Sequence, residues 1–226
     1  VEYVEQHEQL GTGHAVLQTK ELLLGERGTI MVLCGDTPLL TAELLARFHE
    51  EHVQSGAKAT VLTAMMPNAK GYGRIIRREN GEVLKIVEHK DATEEERAIH
   101  EVNAGIYCFD AQALFTALTE VTNDNAQGEY YLPDVLGILR NAGEKIWAVV
   151  ADNYESTLGI NSRSQLAVAE RILRRRKVEE IMSEGVTVID PDTTFIDAEV
   201  RVGMDTILYP FTFLEGMTVI GEDCRI

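Results

Sequence analysis

Cysteine is scarce in this sequence: three among 226 residues, at positions 34, 108 and 224. They stand far apart and are odd in number, which argues against a disulfide framework. No close Cys/His cluster suggests zinc, and a reducing, cytoplasmic setting is the simplest expectation. Long hydrophobic runs are absent too, and none approaches the roughly 18 residues that a membrane-spanning helix needs. The opening VEYVEQHEQL has neither the basic nor the apolar region of a signal peptide. Positive charge is short: 21 Lys and Arg face 37 Asp and Glu, for a formal charge of −16. A nonspecific nucleic-acid binder needs a basic surface, so no nucleic-acid partner is expected. An anionic ligand would have to be held by local donors or a metal against the overall field. What remains is ordinary, 45% hydrophobic and 26% charged, which rules out a disordered or collagenous chain. The length suits one large domain plus part of a second.

Strand and helix patterns alternate along the first two thirds. TIMVLCGD (29–36) reads as a buried parallel strand ending in Gly-Asp, and helical spacing follows from Thr41 to about Gln54, stopped at Ser55-Gly56. ATVLTAMM (59–66) is a second buried strand, completing a βαβ unit. Asn80-Gly81 between two strand-like runs predicts a hairpin, and Thr93 with Glu96 predicts a capping box. EVNAGIYCFD (101–110) is another strand, NDNAQGEYYLPD (123–134) a polar loop, and KIWAVV (145–150) the last strand of this part. A long helix is expected from Ser162 to about Ser183. Its basic run, Arg171 to Lys177, reads most simply as a solvated face.

After Gly185 the period changes. Ile196, Val202, Leu208, Leu214, Ile220 and Ile226 recur every six residues. A small residue stands two positions before each: Thr194, Val200, Thr206, Thr212, Thr218 and Cys224. This predicts the hexapeptide repeat of a parallel β-helix, with the aliphatic residue pointing to the axis of the coil. The expected class is therefore α/β: a Rossmann-like sheet followed by the start of a left-handed parallel β-helix. The domains are expected at 1–184 and 185–226. With Val1 first and Ile226 inside the repeat, the expectation is a segment of a longer protein.

Several residues are chemically suggestive. Gly11 and Gly13 flank Thr12 and would let a backbone approach a ligand and offer free N–H donors, or simply form a loop before a helix. Asp36 follows a strand end, where ligands of α/β sheets bind. It could hold Mg²⁺, or cap the Thr37-Pro38 turn. Gly71-Tyr72-Gly73-Arg74 could touch a base or sugar, or be a turn. Glu88 could accept hydrogen bonds from sugar hydroxyls. Asn103 is a lone amide in an apolar strand, to be satisfied by a ligand or by neighbouring backbone. Asn161 reads as an N-cap or, more sharply, a metal ligand.

Taken in order, EQLGTGHA, CGDTPLL, GYGRI, IVEHKDA, EVNAGIY, NAQGEYYLPD and LGINSR, followed by hexads, closely resemble the bifunctional N-acetylglucosamine-1-phosphate uridylyltransferases of bacteria. The resemblance covers essentially the whole chain. It implies uridylyl transfer from UTP to N-acetylglucosamine-1-phosphate, giving UDP-N-acetylglucosamine and pyrophosphate for cell-wall precursors, with Mg²⁺ as cofactor. By the resemblance Gln6, Gly11 and Thr12 hold the uracil, and Gly35 lies near the ribose. Gly73, Glu88 and Asn103 contact the sugar, while Asp36 and Asn161 bind the metal. The family's G-x-G-T-R-M loop and its lysine are not in this sequence, so no catalytic residue is assigned here and this stretch alone is expected to lack half the nucleotide site. Nor are the later coils of the acetyltransferase half present, so no acetyl transfer is expected. The whole parent is expected to be a cytoplasmic homotrimer. Cys34 stands where an aromatic is common, and Ala104 also departs from the pattern. The alternatives are another sugar-1-phosphate nucleotidylyltransferase or a non-catalytic binding and assembly module of the same fold.

Overall fold

The computed structural model describes residues 1–23, 25 and 27–226. They form two compact units, Val1–Thr157 and Leu158–Ile226. The first carries, in order, α1 (Thr12–Leu17), α2 (Lys20–Leu23), β1 (Thr29–Val32), α3 (Ala42–Ser55), β2 (Ala59–Met65), β3 (Arg74–Arg77), β4 (Val83–Val87), α4 (Glu94–Arg97), β5 (Glu101–Asp110), α5 (Ala111–Leu118), α6 (Asp134–Asn141) and β6 (Ile146–Val150). The second has α7 (Arg163–Ser183) and six two-residue strands: β7 (Thr187–Val188), β8 (Phe195–Ile196), β9 (Arg201–Val202), β10 (Ile207–Leu208), β11 (Phe213–Leu214) and β12 (Val219–Ile220).

The sheet of the first unit runs β4-β3-β5-β2-β6, with β1 also paired to β5. The ten-residue β5 is its spine. β2 lies antiparallel along one side. On the other side β1 pairs with the carboxyl half of β5 and β3 meets its amino half at Val102. β1 and β2 therefore run the same way, as in a βαβ unit, but β5 lies between them. This corrects the expectation of a buried parallel strand at 29–36: β1 is four residues long, antiparallel to its only partner among the described residues, and half-buried throughout. The apolar run is real; the partner that covers it on the β5 side arrives some 70 residues later, which no local pattern encodes. β2, by contrast, is buried on both faces and continuously apolar or threonine, as an interior strand should be.

Local signals elsewhere translate directly. Thr41 accepts the Leu44 N–H at the start of α3, and Gly56 ends it in the left-handed region. Between them Leu44, Phe48 and His52 turn inward. Gly81 closes the β3–β4 hairpin with φ 84°, donating its N–H to Arg78 O. Thr93 and Glu96 form both halves of the capping box. The core behind the sheet joins Val61, Tyr107 and Phe109 to Leu114, Leu118, Leu132, Val135 and Leu136 from α5, α6 and the loop between them.

In the second unit Ser162 caps α7 by accepting the Gln165 N–H. The N-cap expected at Asn161 thus falls one residue later. Asn161 contributes its backbone N–H, donated to Gln165 Oε1 at 2.8 Å. Val178 and Ile181 of α7 pack with Val188, Ile196, Val202, Leu208 and Leu214, so the helix joins the repeats. In its basic run Arg174 stacks over Phe195, 4.1 Å from the ring centroid, and Lys177 pairs with Glu180. The small strands form parallel ladders: β7 with β10, β8 with β11, β9 with β12. In the last two ladders the partners stand eighteen residues apart, three hexads. The aliphatic position is inward at Ile196, Val202, Leu208 and Leu214, half-covered at Ile220 and 43% exposed at Ile226. Gly203 marks the tightest approach between neighbouring passes. A Cβ there would lie 2.6 Å from Glu222 N and from Gly221 C, both backbone. Gly203→Ala should therefore destabilise this unit by about 1–3 kcal/mol, read as a lower denaturant midpoint for the unit's transition.

Candidate functional site

A cleft of about 520 Å³ opens in the first unit. Helix α1, the end of β1 and the turn after it, the residue after β4, the middle of β5 and the loop before α6 line it. Its centre is an irregularity in β5. Val61 pairs with Tyr107 and Thr63 with Asn103, so Ala104, Gly105 and Ile106 stand opposite Leu62 alone. Such a bulge re-aims side chains where a strand passes a site. Gly105 makes it possible with φ 75°. Asn103 Oδ1 accepts the Gly105 N–H at 2.9 Å, and Asn103 Nδ2 donates to the Tyr107 hydroxyl at 2.7 Å. The lone amide in an apolar strand is thus satisfied within the protein, yet it still borders the cleft. Burial pushes the Tyr107 hydroxyl far above its ordinary range, so it stays protonated. From the other side the Cys34 thiol donates to Gly105 O at 3.2 Å. Burial first, then the Asp36 carboxylate, push that thiol up and keep its proton in place.

The structure brings together the three residues expected to touch a sugar. Gly73 O accepts the Asn103 N–H at 2.9 Å. A Cβ added at Gly73 would lie 3.0 Å from Glu88 Oε1, so only glycine leaves that carboxylate its space. Burial raises the Glu88 pKa, reinforced by the Asp91 and Asp134 carboxylates. Thr12 lines the same cleft, and its hydroxyl oxygen accepts the Leu132 N–H at 3.0 Å.

The glycine loop differs from expectation in one respect. Gly13 does not offer a free donor: its N–H goes to Tyr130 O at 2.8 Å. Gly11, at φ 110°, lies so near the same segment that a Cβ would come within 2.7 Å of Tyr130 O. These glycines serve close packing between two loops of the cleft wall. Gln6 closes the loop, donating to Gly11 O at 3.2 Å and standing 2.9 Å from His14 Nδ1; it does not line the cleft. The opposing loop is held by Asn125, whose Oδ1 accepts the N–H groups of Gln127 and Glu129 and whose Nδ2 donates to Glu129 O. Gln127 then donates to the Tyr131 hydroxyl at 2.6 Å.

Gly35 and Asp36 are exposed in the turn after β1. The Thr37 N–H and hydroxyl close that turn on Cys34 O, at 3.4 and 2.7 Å, so the turn does not consume the Asp36 carboxylate. Its hard anionic oxygen, two residues from a residue of the cleft wall, fits Mg²⁺, which takes one or two carboxylates and completes its shell with water and phosphate. Among the described residues no group of three or more His, Cys, Asp and Glu is placed to hold a metal. Asn161 is exposed and belongs to the second unit. Sequence reading missed Gly105, Tyr107, Gln127 and Tyr131. The one available signal was a glycine inside a strand two residues after an asparagine.

The nucleotidyl transferase family profile matches residues 1–159. The chain belongs to this family. The nucleotidyl transferase sheet is thus the Rossmann-like, mixed α/β fold described above, and the resemblance drawn from the sequence holds. A bifunctional protein GlmU from Shouchella clausii is 57% identical over 226 residues, and one from a Geobacillus strain is 56% identical over 225. The chain spans about half the length of these curated relatives, 50% and 49%. A UDP-glucose pyrophosphorylase solved with UDP-glucose superposes with a TM-score of 0.62 at 17% identity, covering 77% of this chain and 66% of that one. At that identity the likeness is one of fold.

Two outcomes test the geometry of this nucleotidyl transferase cleft. Gly105→Ala should cost about 1–2 kcal/mol, because the left-handed backbone is strained for alanine and the new Cβ meets Cys34 Sγ at 3.2 Å; chemical denaturation reads it. Glu88 titrates higher in the folded chain than in the unfolded chain. The folded state therefore holds its proton longer, and stability is lost as pH rises from the unfolded to the folded pKa. Glu88→Gln should then raise the melting temperature at pH 7, and the gain should vanish in acid below both values.

Proposed function

We propose that this chain carries the sugar-binding side of a uridylyltransferase site, for transfer of UMP from UTP to N-acetylglucosamine-1-phosphate with release of pyrophosphate. The convergence of Gly73, Glu88 and Asn103 on one bulged strand end carries the reading, and whole-length identity to GlmU proteins supports it. Glu88 supplies a carboxylate to accept hydrogen bonds from sugar hydroxyls, and Asn103 an amide fixed at both ends. Gly73 leaves room for the ring. Thr12 lines the uracil side, and Gln6 and Gly11 support it from behind, where Tyr130 and Leu132 hold the segment by its backbone and hydroxyl; Gly35 is assigned to the ribose. Among the described residues no lysine or arginine lines the cleft. The chain's own contribution is therefore positioning and exclusion of water, with little covalent work.

Asp36 is the group of the first unit that would hold Mg²⁺. Bound there, the ion would neutralise phosphate charge as the leaving pyrophosphate departs. The functional division is read as a nucleotidyltransferase domain over 1–184 and hexapeptide repeats over 185–226, the repeats being the opening of a left-handed β-helix. The compact units divide earlier because α7 packs on the repeats. A cytoplasmic homotrimer making cell-wall precursors, with UDP-N-acetylglucosamine as product, completes the reading for the whole protein.

The test is pyrophosphate release from UTP and N-acetylglucosamine-1-phosphate, with and without Mg²⁺, alongside calorimetric binding of UDP-N-acetylglucosamine and UDP-glucose. The expected result is preference for the acetylated sugar nucleotide, lost in Glu88→Ala. Where release is measurable, Asp36→Asn should lower metal-dependent turnover on the order of 100-fold. Equal binding of both sugar nucleotides would point to another sugar-1-phosphate nucleotidylyltransferase. Binding of neither, with no release, would overturn the reading in favour of an assembly module.

A further inference from the structure

Outside the cleft, on the flank of the β3–β4 hairpin, Arg74 is only 2% exposed. Its guanidinium donates to the backbone carbonyls of Tyr72 and Arg97. Its Nε is fully buried without a partner among the described residues, and so is His89 Nδ1. His89 directly follows the cleft residue Glu88, and Arg74 follows Gly73, which packs against Glu88, but neither lines the cleft itself. Arg97 joins them by donating to His89 O. Among the described residues neither Arg74, Arg97 nor Lys70 pairs with a carboxylate. Instead their positive charges meet. Burial, then Arg97, lowers the Arg74 pKa, and burial with Arg74, Arg97 and Lys70 holds the His89 imidazole below its ordinary range.

A buried cation without an anion is costly, and in a chain of net charge −16 acids were available to pair it. Two orphaned polar atoms on adjoining residues call for a missing partner. A water molecule would satisfy a donor but leave the converging charge unbalanced. An oxyanion does both. The Arg74 Nε–H and a neutral imidazole protonated at Nδ1 are the inner donors. The exposed Lys70 and Arg97 side chains supply charge and access at the mouth.

We propose that Lys70, Arg74, His89 and Arg97 form a binding site for a phosphate group, separate from the cleft. The site stands independently of the function proposed for the cleft. Its occupant is either free phosphate or pyrophosphate, or the phosphate of a small sugar phosphate.

The test follows the His89 Cε1–H NMR resonance while inorganic phosphate, pyrophosphate or N-acetylglucosamine-1-phosphate is added, with and without excess UDP-N-acetylglucosamine to fill the cleft. Sodium chloride at matched ionic strength is the control. The expected result is a saturable shift and a higher His89 pKa with at least one phosphate, unaffected by the sugar nucleotide. The tightest ligand identifies the source. In Lys70→Ala/Arg97→Ala, a pair of surface changes that leaves the buried residues in place, affinity should fall about tenfold or more. A shift no larger than with chloride, one unchanged in the double variant, or no saturable shift at all would overturn the proposal.

Discussion

Everything in the cleft depends on one strand failing to pair evenly. β5 is the spine of the first sheet, flanked by β2 on one side and by β1 and β3 on the other. In plain register a single residue would stand opposite Leu62 between the Tyr107 and Asn103 pairs; here there are three. The bulge at Ala104–Ile106 breaks the ladder, and four contacts keep it from relaxing: the left-handed Gly105, the Asn103 carboxamide folded back on it, the Tyr107 hydroxyl and the Cys34 thiol. The same irregularity places Asn103 against Gly73 and so against Glu88. A backbone anomaly, stabilised by side chains from distant segments, thus organises the sugar side of the site.

The opposite wall works by close packing. Gly11 and Gly13 let the loop before α1 approach the Tyr130 backbone at a distance no side chain would allow. The polar loop 123–134, which looks unstructured as a sequence, is wound on Asn125 and tied at Gln127. Two loops without regular structure are rigid here because each supplies the other's hydrogen bonds. That rigidity suits a reaction in which the protein's work is placement.

How much of this was legible follows from the range of the interactions. Local chemistry was read well: the stop of α3 at Gly56, the Asn80-Gly81 hairpin, the Thr93–Glu96 box, β5 to the residue, and the six-residue period of the second unit. These signals sit within a few positions of what they determine. β1 was misread as a buried parallel strand because an apolar run records burial but not the partner or its direction. Of the two readings of Asn161, cap or metal ligand, the cap falls to Ser162, because Asn and Ser cap equally well and stand side by side. The glycine loop was credited with free donors because the Tyr130 carbonyl that takes one of them lies more than a hundred residues away. The residues proposed to touch the sugar were identified by resemblance. Their meeting at one place is a property of the sheet, and spacing along the chain does not reveal it.

The ladders of the second unit have a kinetic consequence. Their strands join residues eighteen to twenty apart, whereas β2 must find β6 across more than eighty residues and β5 across 36 to 50. Loop closure over such spans is slow, and pairing between near neighbours is fast. The repeats can grow pass upon pass, each templated by the one before, whereas the edge of β1 that β5 pairs waits for a strand some seventy residues downstream. For the time taken to add those residues that edge stays unpaired, and an unpaired edge is open to misassociation.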